Sequence, residues 1–149
     1  MRTLSISVLL MFFSSYSGYG QGAMAIKADG KQSTGKEPML TDIYKGNIPD
    51  NGKDFFTELV LDHKPYADMG DFILFETLCT GTQSTTETRG QWTVLKGSAR
   101  DENATVVAID APGKPQYFLR LGNGNLQKLD TAFREIRPVM KYVLQKVSK

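Results

Sequence analysis

The chain has 149 residues, with 18 Lys plus Arg against 16 Asp plus Glu, one histidine, one cysteine and a formal net charge of +2. So near a balance offers no broad field for gripping nucleic-acid or membrane phosphates, and no nucleic-acid partner is expected. A lone cysteine excludes an intramolecular disulfide and any multi-cysteine metal centre.

Residues 1–20 place Arg2 ahead of the apolar run Leu4–Phe13 and close on the small and polar SSYSGYG. That order is the one a secretory signal peptide uses. The apolar run is about ten residues, short of the ~20 a spanning helix needs, so the mature chain is expected to have no transmembrane segment. Cleavage is expected after Gly20, or after Ala25 in the A-M-A of residues 23–25, since both offer small residues to the peptidase. No cysteine lies near either point, so no lipid anchor on an N-terminal cysteine is expected. Export without disulfides fits a bacterial periplasm or cell envelope.

Residues 21–40, rich in Gly, Lys, Ser and Thr, read as a flexible tether. From 41 to 149 the pattern becomes short β-rich runs between turn residues. Strands are predicted over 41–48, 55–62, 71–79, 85–95, 104–110, 115–121, 125–130 and 139–147. Within the second, Phe55, Thr57, Leu59 and Leu61 share one face and Phe56, Glu58 and Val60 the other. Asn51-Gly52, Pro112-Gly113 and Gly122-Asn-Gly124 supply turn chemistry, and TAFREIRP over 131–138 reads as a short helical turn. Such regular spacing predicts a single all-β domain, an antiparallel up-and-down barrel of eight strands. A barrel of that size is either filled by side chains or holds one small ligand.

Catalytic chemistry is sparse. His63 stands in LDHKPYADMGD, read as a polar connection between the second and third strands, and no G-x-S-x-G surrounds a serine. Cys79 ends the apolar FILFETLC and reads as a small buried hydrophobe. Acidic pairs such as Asp101-Glu102 and Asp68 with Asp71 read as turn residues. The chain is therefore not expected to be an enzyme, and no cofactor is expected. Soft metal donors in the mature chain are Met24, Met39, Met69, Met140, His63 and Cys79; His63 and Met69 are the closest pair in sequence and the candidate metal ligands. Trp92 in RGQWTVL falls on the inward face of the fourth strand, as a core aromatic or the base of a ligand cavity. Near the C-terminus Arg134, Arg137, Lys141, Lys146 and Lys149 face only Glu135, which reads as a solvated basic face.

In order, YKGNIP (44–49), FFTELVL (55–61), ETLCTG (76–81), RGQW (89–92), PQYFLRLGNGNLQKLD (115–130) and YVL (142–144) resemble the N-terminal domain of the NlpE family of bacterial copper-homeostasis and envelope-stress lipoproteins. The resemblance spans nearly all of 41–149. It implies a small lipocalin-like barrel in the cell envelope, with a role in copper resistance or the envelope stress response. Two family features are missing. Where the family carries P-C-x-x-C after the first strand, this chain has Pro49-Asp50-Asn51-Gly52-Lys53, which excludes soft-metal binding there, and the lipidated cysteine is absent. The expectation is an exported, non-enzymatic protein binding a small apolar ligand or an envelope protein, with copper binding through ligands other than cysteine as the alternative.

Overall fold

Alternating apolar residues need a shared interior, and the chain builds one by closing a meander on itself. The computed structural model describes residues 37–147; the expected signal peptide, and the expected tether up to residue 36, lie outside the described residues. Eight strands follow in order: β1 (Leu40–Asp50), β2 (Lys53–His63), β3 (Met69–Leu78), β4 (Thr85–Lys96), β5 (Thr105–Ile109), β6 (Gln116–Arg120), β7 (Leu126–Leu129) and β8 (Val143–Lys146). Each pairs antiparallel with its neighbours in sequence, and β8 returns to β1 to close the barrel. The fold is thus the all-β up-and-down barrel that the spacing predicts.

The longest ladder, β1 with β2, runs from Leu40↔His63 to Asp50↔Lys53. Its corner needs two residues with positive φ, and Asn51 at 49° and Gly52 at 75° provide them. Asp50–Lys53 is thus a plain hairpin turn.

Cross-strand partners share a face, which fixes what points inward. Tyr44, Leu59, Leu74, Val107, Phe118 and Leu126 all face the interior and are buried. Ile48, Leu61, Phe72, Trp92, Ile109, Ala111 and Leu144 complete the cluster and fill the waist of the barrel. Between the two possibilities for an eight-stranded barrel, side chains occupy the centre.

A second layer covers part of the outer wall. After β7, residues 130–142 fold back over the outside: Phe133 lies 4.6 Å from Tyr117 of β6, Glu135 bridges to Leu129 of β7, the Ala99 amide donates to the Phe133 carbonyl, and residues 139–142 pack against β1 and β7. Strand β7 therefore has buried residues on both faces, Leu126 and Lys128 inward, Gln127 and Leu129 outward.

Four local expectations are corrected. Residues 131–138 form no helix; Asp130 Oδ1 accepts from the Ala132 and Arg134 amides and holds a loop, and a single 3-10 turn follows at Val139–Tyr142. The last strand accordingly begins at Val143 rather than 139. His63 is the final residue of β2, paired with Leu40, because the ladder continues one residue beyond the polar signal. Cys79 lies past the end of β3 with its thiol exposed; its amide is held by the Asp54 carbonyl while the side chain turns outward.

The basic C-terminal face is also more fully paired than its sequence suggests. Arg134 meets Asp130, Lys146 meets Asp42, and Glu135 serves Arg100 from a distant loop.

Candidate functional site

One end of the barrel gathers the starts of β1, β3, β5 and β7 and the finishes of β2, β4, β6 and β8. Register brings Met69 beside Thr93, Thr93 beside Ala108 and Ala108 beside Tyr117, a single row across the outer face of β3–β6. The two middle members are small, so the wall is hollowed between the larger Met69 and Tyr117. Met39, Ala67, Leu95 and Pro115 raise the sides, and the resulting groove encloses about 700 Å³ with mostly apolar walls. That volume falls in the ~300–1,000 Å³ range of small-molecule pockets.

A second, polar pocket of about 350 Å³ opens at the barrel mouth beneath the β2–β3 loop. Asp42, Leu61 and Arg120 line it, and it shares His63, Ala67 and Trp92 with the groove. Asp42 organises the mouth: Lys146 Nζ is 2.9 Å from one carboxylate oxygen, and His63 Nε2 is 3.7 Å and the Tyr44 hydroxyl 3.5 Å from the other. Burial, reinforced by the negative charge of Asp42, pushes the Tyr44 phenol up to about 12.

His63 is oriented from two sides. Its ring stands edge-on to Trp92, centroids 5.8 Å apart and planes at 87°. Nδ1 lies 2.9 Å from the Lys64 carbonyl, which can only accept, so Nδ1 carries a proton. Nε2 then faces the Asp42 carboxylate.

The candidate metal ligands His63 and Met69 both line the apolar groove, together with Met39. Cys79 and Met140 line a different groove, outside β1, beside Phe56. Met24 lies outside the described residues. Among the described residues no cluster of three or more His, Cys, Asp or Glu side chains is arranged to hold a metal ion. Trp92 is both core and wall: it is buried, yet borders the groove and the mouth.

Sequence reading misses Thr93, Ala108 and Tyr117 as groove residues, because only the register of four strands makes them neighbours. It also misses Lys128, an inward-facing lysine exposed to 8%. Desolvation holds its amine below the ordinary lysine value, offset in part by the charges of Asp50 and Glu76, and Lys114 adds to the depression. Among the described residues no hydrogen bond or ion pair reaches the Lys128 amine, since Asp50 is bonded to Lys114 at 2.9 Å.

Fold and site together define an all-β barrel with an apolar outer groove beside a charged mouth. No family model, curated protein or solved structure matches the chain. Among the described residues no helix is long and apolar enough to cross a membrane.

Proposed function

We propose that this chain is an exported, non-enzymatic protein of the bacterial cell envelope, related to the NlpE-like copper-resistance barrels, which binds a small apolar ligand in the outer groove of β3–β6. The observation that carries the ligand reading is the row Met69–Thr93–Ala108–Tyr117, a hollow of about 700 Å³ with apolar walls. Because the waist of the barrel is filled, the ligand is taken on the outer wall rather than inside. The envelope setting rests on the signal-peptide pattern, and kinship rests on the ordered motifs from YKGNIP to YVL.

Neutral N-phenyl-1-naphthylamine, titrated into the mature chain, tests the reading. Trp92 is the only tryptophan and borders the groove, so its emission transfers to a bound probe. Ala108→Phe fills the floor and weakens binding at least about tenfold, equivalent to ~1.4 kcal/mol, with little change in melting temperature. Undiminished binding by a folded Ala108→Phe protein would refute the groove as the site.

A second reading, copper(I) held without cysteine, is favoured by one observation, that His63 and Met69 line the same groove. Titration with Cu(I) against a micromolar chelator separates the two: competition that disappears in His63→Ala supports copper, and no competition removes it.

A further inference from the structure

Strand β4 is paired along most of one side and along only its second half on the other. Against β3 its partners run from Thr85 to Thr93, whereas its pairing with β5 begins only at Trp92. One further bond, from the Asp110 amide to the Gln91 carbonyl, ends the β5 side of the ladder. The backbone groups of Ser84 and Val94 bond toward β3 and its preceding loop, at the Leu78 amide and the Asp68 carbonyl. Even-numbered residues of β4 thus present their N–H and C=O groups to β3, and odd-numbered residues present theirs to the opposite side. For Thr85, Glu87 and Arg89 that side is open: their outward backbone groups have no partner among the described residues, and all three residues are exposed.

An open row of donors and acceptors is a template for another strand. Its sequence, TTETRG, is rich in β-branched residues suited to extended structure. Glu87 and Arg89 also form an ion pair with each other along the strand, so the edge carries one charge of each sign, two residues apart.

We propose that this edge is a homotypic docking surface, on which β4 of a second copy pairs antiparallel about a two-fold axis through Thr88. Backbone parity requires odd residues to face odd residues, which leaves axes at residues 86 to 89 to compare, and the axis at 86 opposes Glu87 to Thr85 and pairs no charges. An axis at residue 87 opposes Glu87 to itself, and an axis at residue 89 opposes Arg89 to itself. Only the axis at Thr88 sets Glu87 opposite Arg89 of the second copy, and does so twice. Glu87 and Arg89 exchange backbone bonds with their counterparts in that register, and the ion pairs already formed within each strand become ion pairs between strands. Thr88 meets Thr88 as a non-hydrogen-bonded pair with closely spaced Cβ atoms. The contact is short, so the dimer is weak and depends on concentration. It does not rest on the groove or its ligand.

Disulfide trapping in the full mature chain, with Cys79→Ser removing the native thiol, tests both contact and register. Thr88→Cys is expected to crosslink under mild oxidation at least about tenfold faster than Thr85→Cys, because only the axial residue faces its own copy. Added to Thr88→Cys, Glu87→Arg or Arg89→Glu alone slows crosslinking about tenfold by opposing like charges, and the double swap Glu87→Arg with Arg89→Glu restores it. Amide exchange of the unaltered chain gives a reading free of substitutions: Thr85, Glu87 and Arg89 gain protection as concentration rises. Equal crosslinking at residues 85 and 88, a double swap that stays slow, or exchange independent of concentration overturns the proposal; protection that appears only with an added extended peptide overturns it in favour of a different strand partner.

Discussion

The Trp92 indole donates from Nε1 to the Asp62 carbonyl at 3.2 Å, joining β4 to β2 across the intervening β3. The bond passes where β3 has no side chain. A Cβ on Gly70 would lie 1.9 Å from that carbonyl oxygen and 2.9 Å from the indole nitrogen. Gly70→Ala is therefore expected to lower stability by about 2–4 kcal/mol, combining overpacking with a lost hydrogen bond, as read by urea denaturation. Adding Trp92→Phe recovers little, because the nearer obstacle is backbone.

Lys128 sets a dependence on alkaline pH. Its folded value lies below the unfolded 10.5, with burial as the first cause. Between those values the unfolded chain holds a proton that the folded chain has shed, so this residue makes stability rise with pH across that window and level off above 10.5. Lys128→Met removes the rise, because the side chain that titrates is replaced by an apolar one of similar length. Guanidinium melts of both proteins at several pH values check this.

Tyr44 acts in the opposite sense at higher pH. Its phenol is raised to about 12 by burial and then by Asp42. The stability it contributes is complete below pH 10 and is lost as pH climbs through 12, because the unfolded chain ionises first. Two pKa steps correspond to about 2–3 kcal/mol. Tyr44→Phe should flatten the decline above pH 10, and phenolate absorbance in the folded protein should appear late.

Asp130 controls the outer layer. Its carboxyl is held below the usual 3.8, chiefly by the hydrogen bond from the Arg134 amide, with the Ala132 amide and the Arg134 guanidinium adding to it. A depressed value makes this contribution present above 3.8 and lost as pH falls through the folded value. Asp130→Ala is expected to release the loop that carries Phe133 onto Tyr117, giving faster amide exchange over 131–136 with the β1–β3 ladder unchanged.

Strand order and number were legible because alternation such as Phe55, Thr57, Leu59, Leu61 reports directly on a half-buried sheet, and Asn51-Gly52 announces its own corner. The sequence LQKL of β7 carries no such alternation, since all four residues are buried between the barrel interior and the 130–142 layer. His63 looked like loop because Asp62, His63 and Lys64 are polar, yet its ring packs against Trp92, a residue 29 positions away whose proximity is set by the β3 crossing. The groove was illegible for a related reason. Met69, Thr93, Ala108 and Tyr117 lie on four strands, and no spacing in the chain reveals a row that exists only in register.

The closing seam has a kinetic meaning. β1 and β2 share a ladder along their whole length, whereas β8 meets β1 only at Tyr44↔Lys146 and Lys45↔Gln145, with the Val147 amide adding one bond to the Ile43 carbonyl. The first contacts are local and rapid to form; the last join opposite ends of the barrel sequence and carry the greatest loop-closure cost. A chain made N-terminus first can zip its early hairpins before synthesis ends. The ring itself cannot form until the final residues arrive, so closure of the barrel waits for the whole chain.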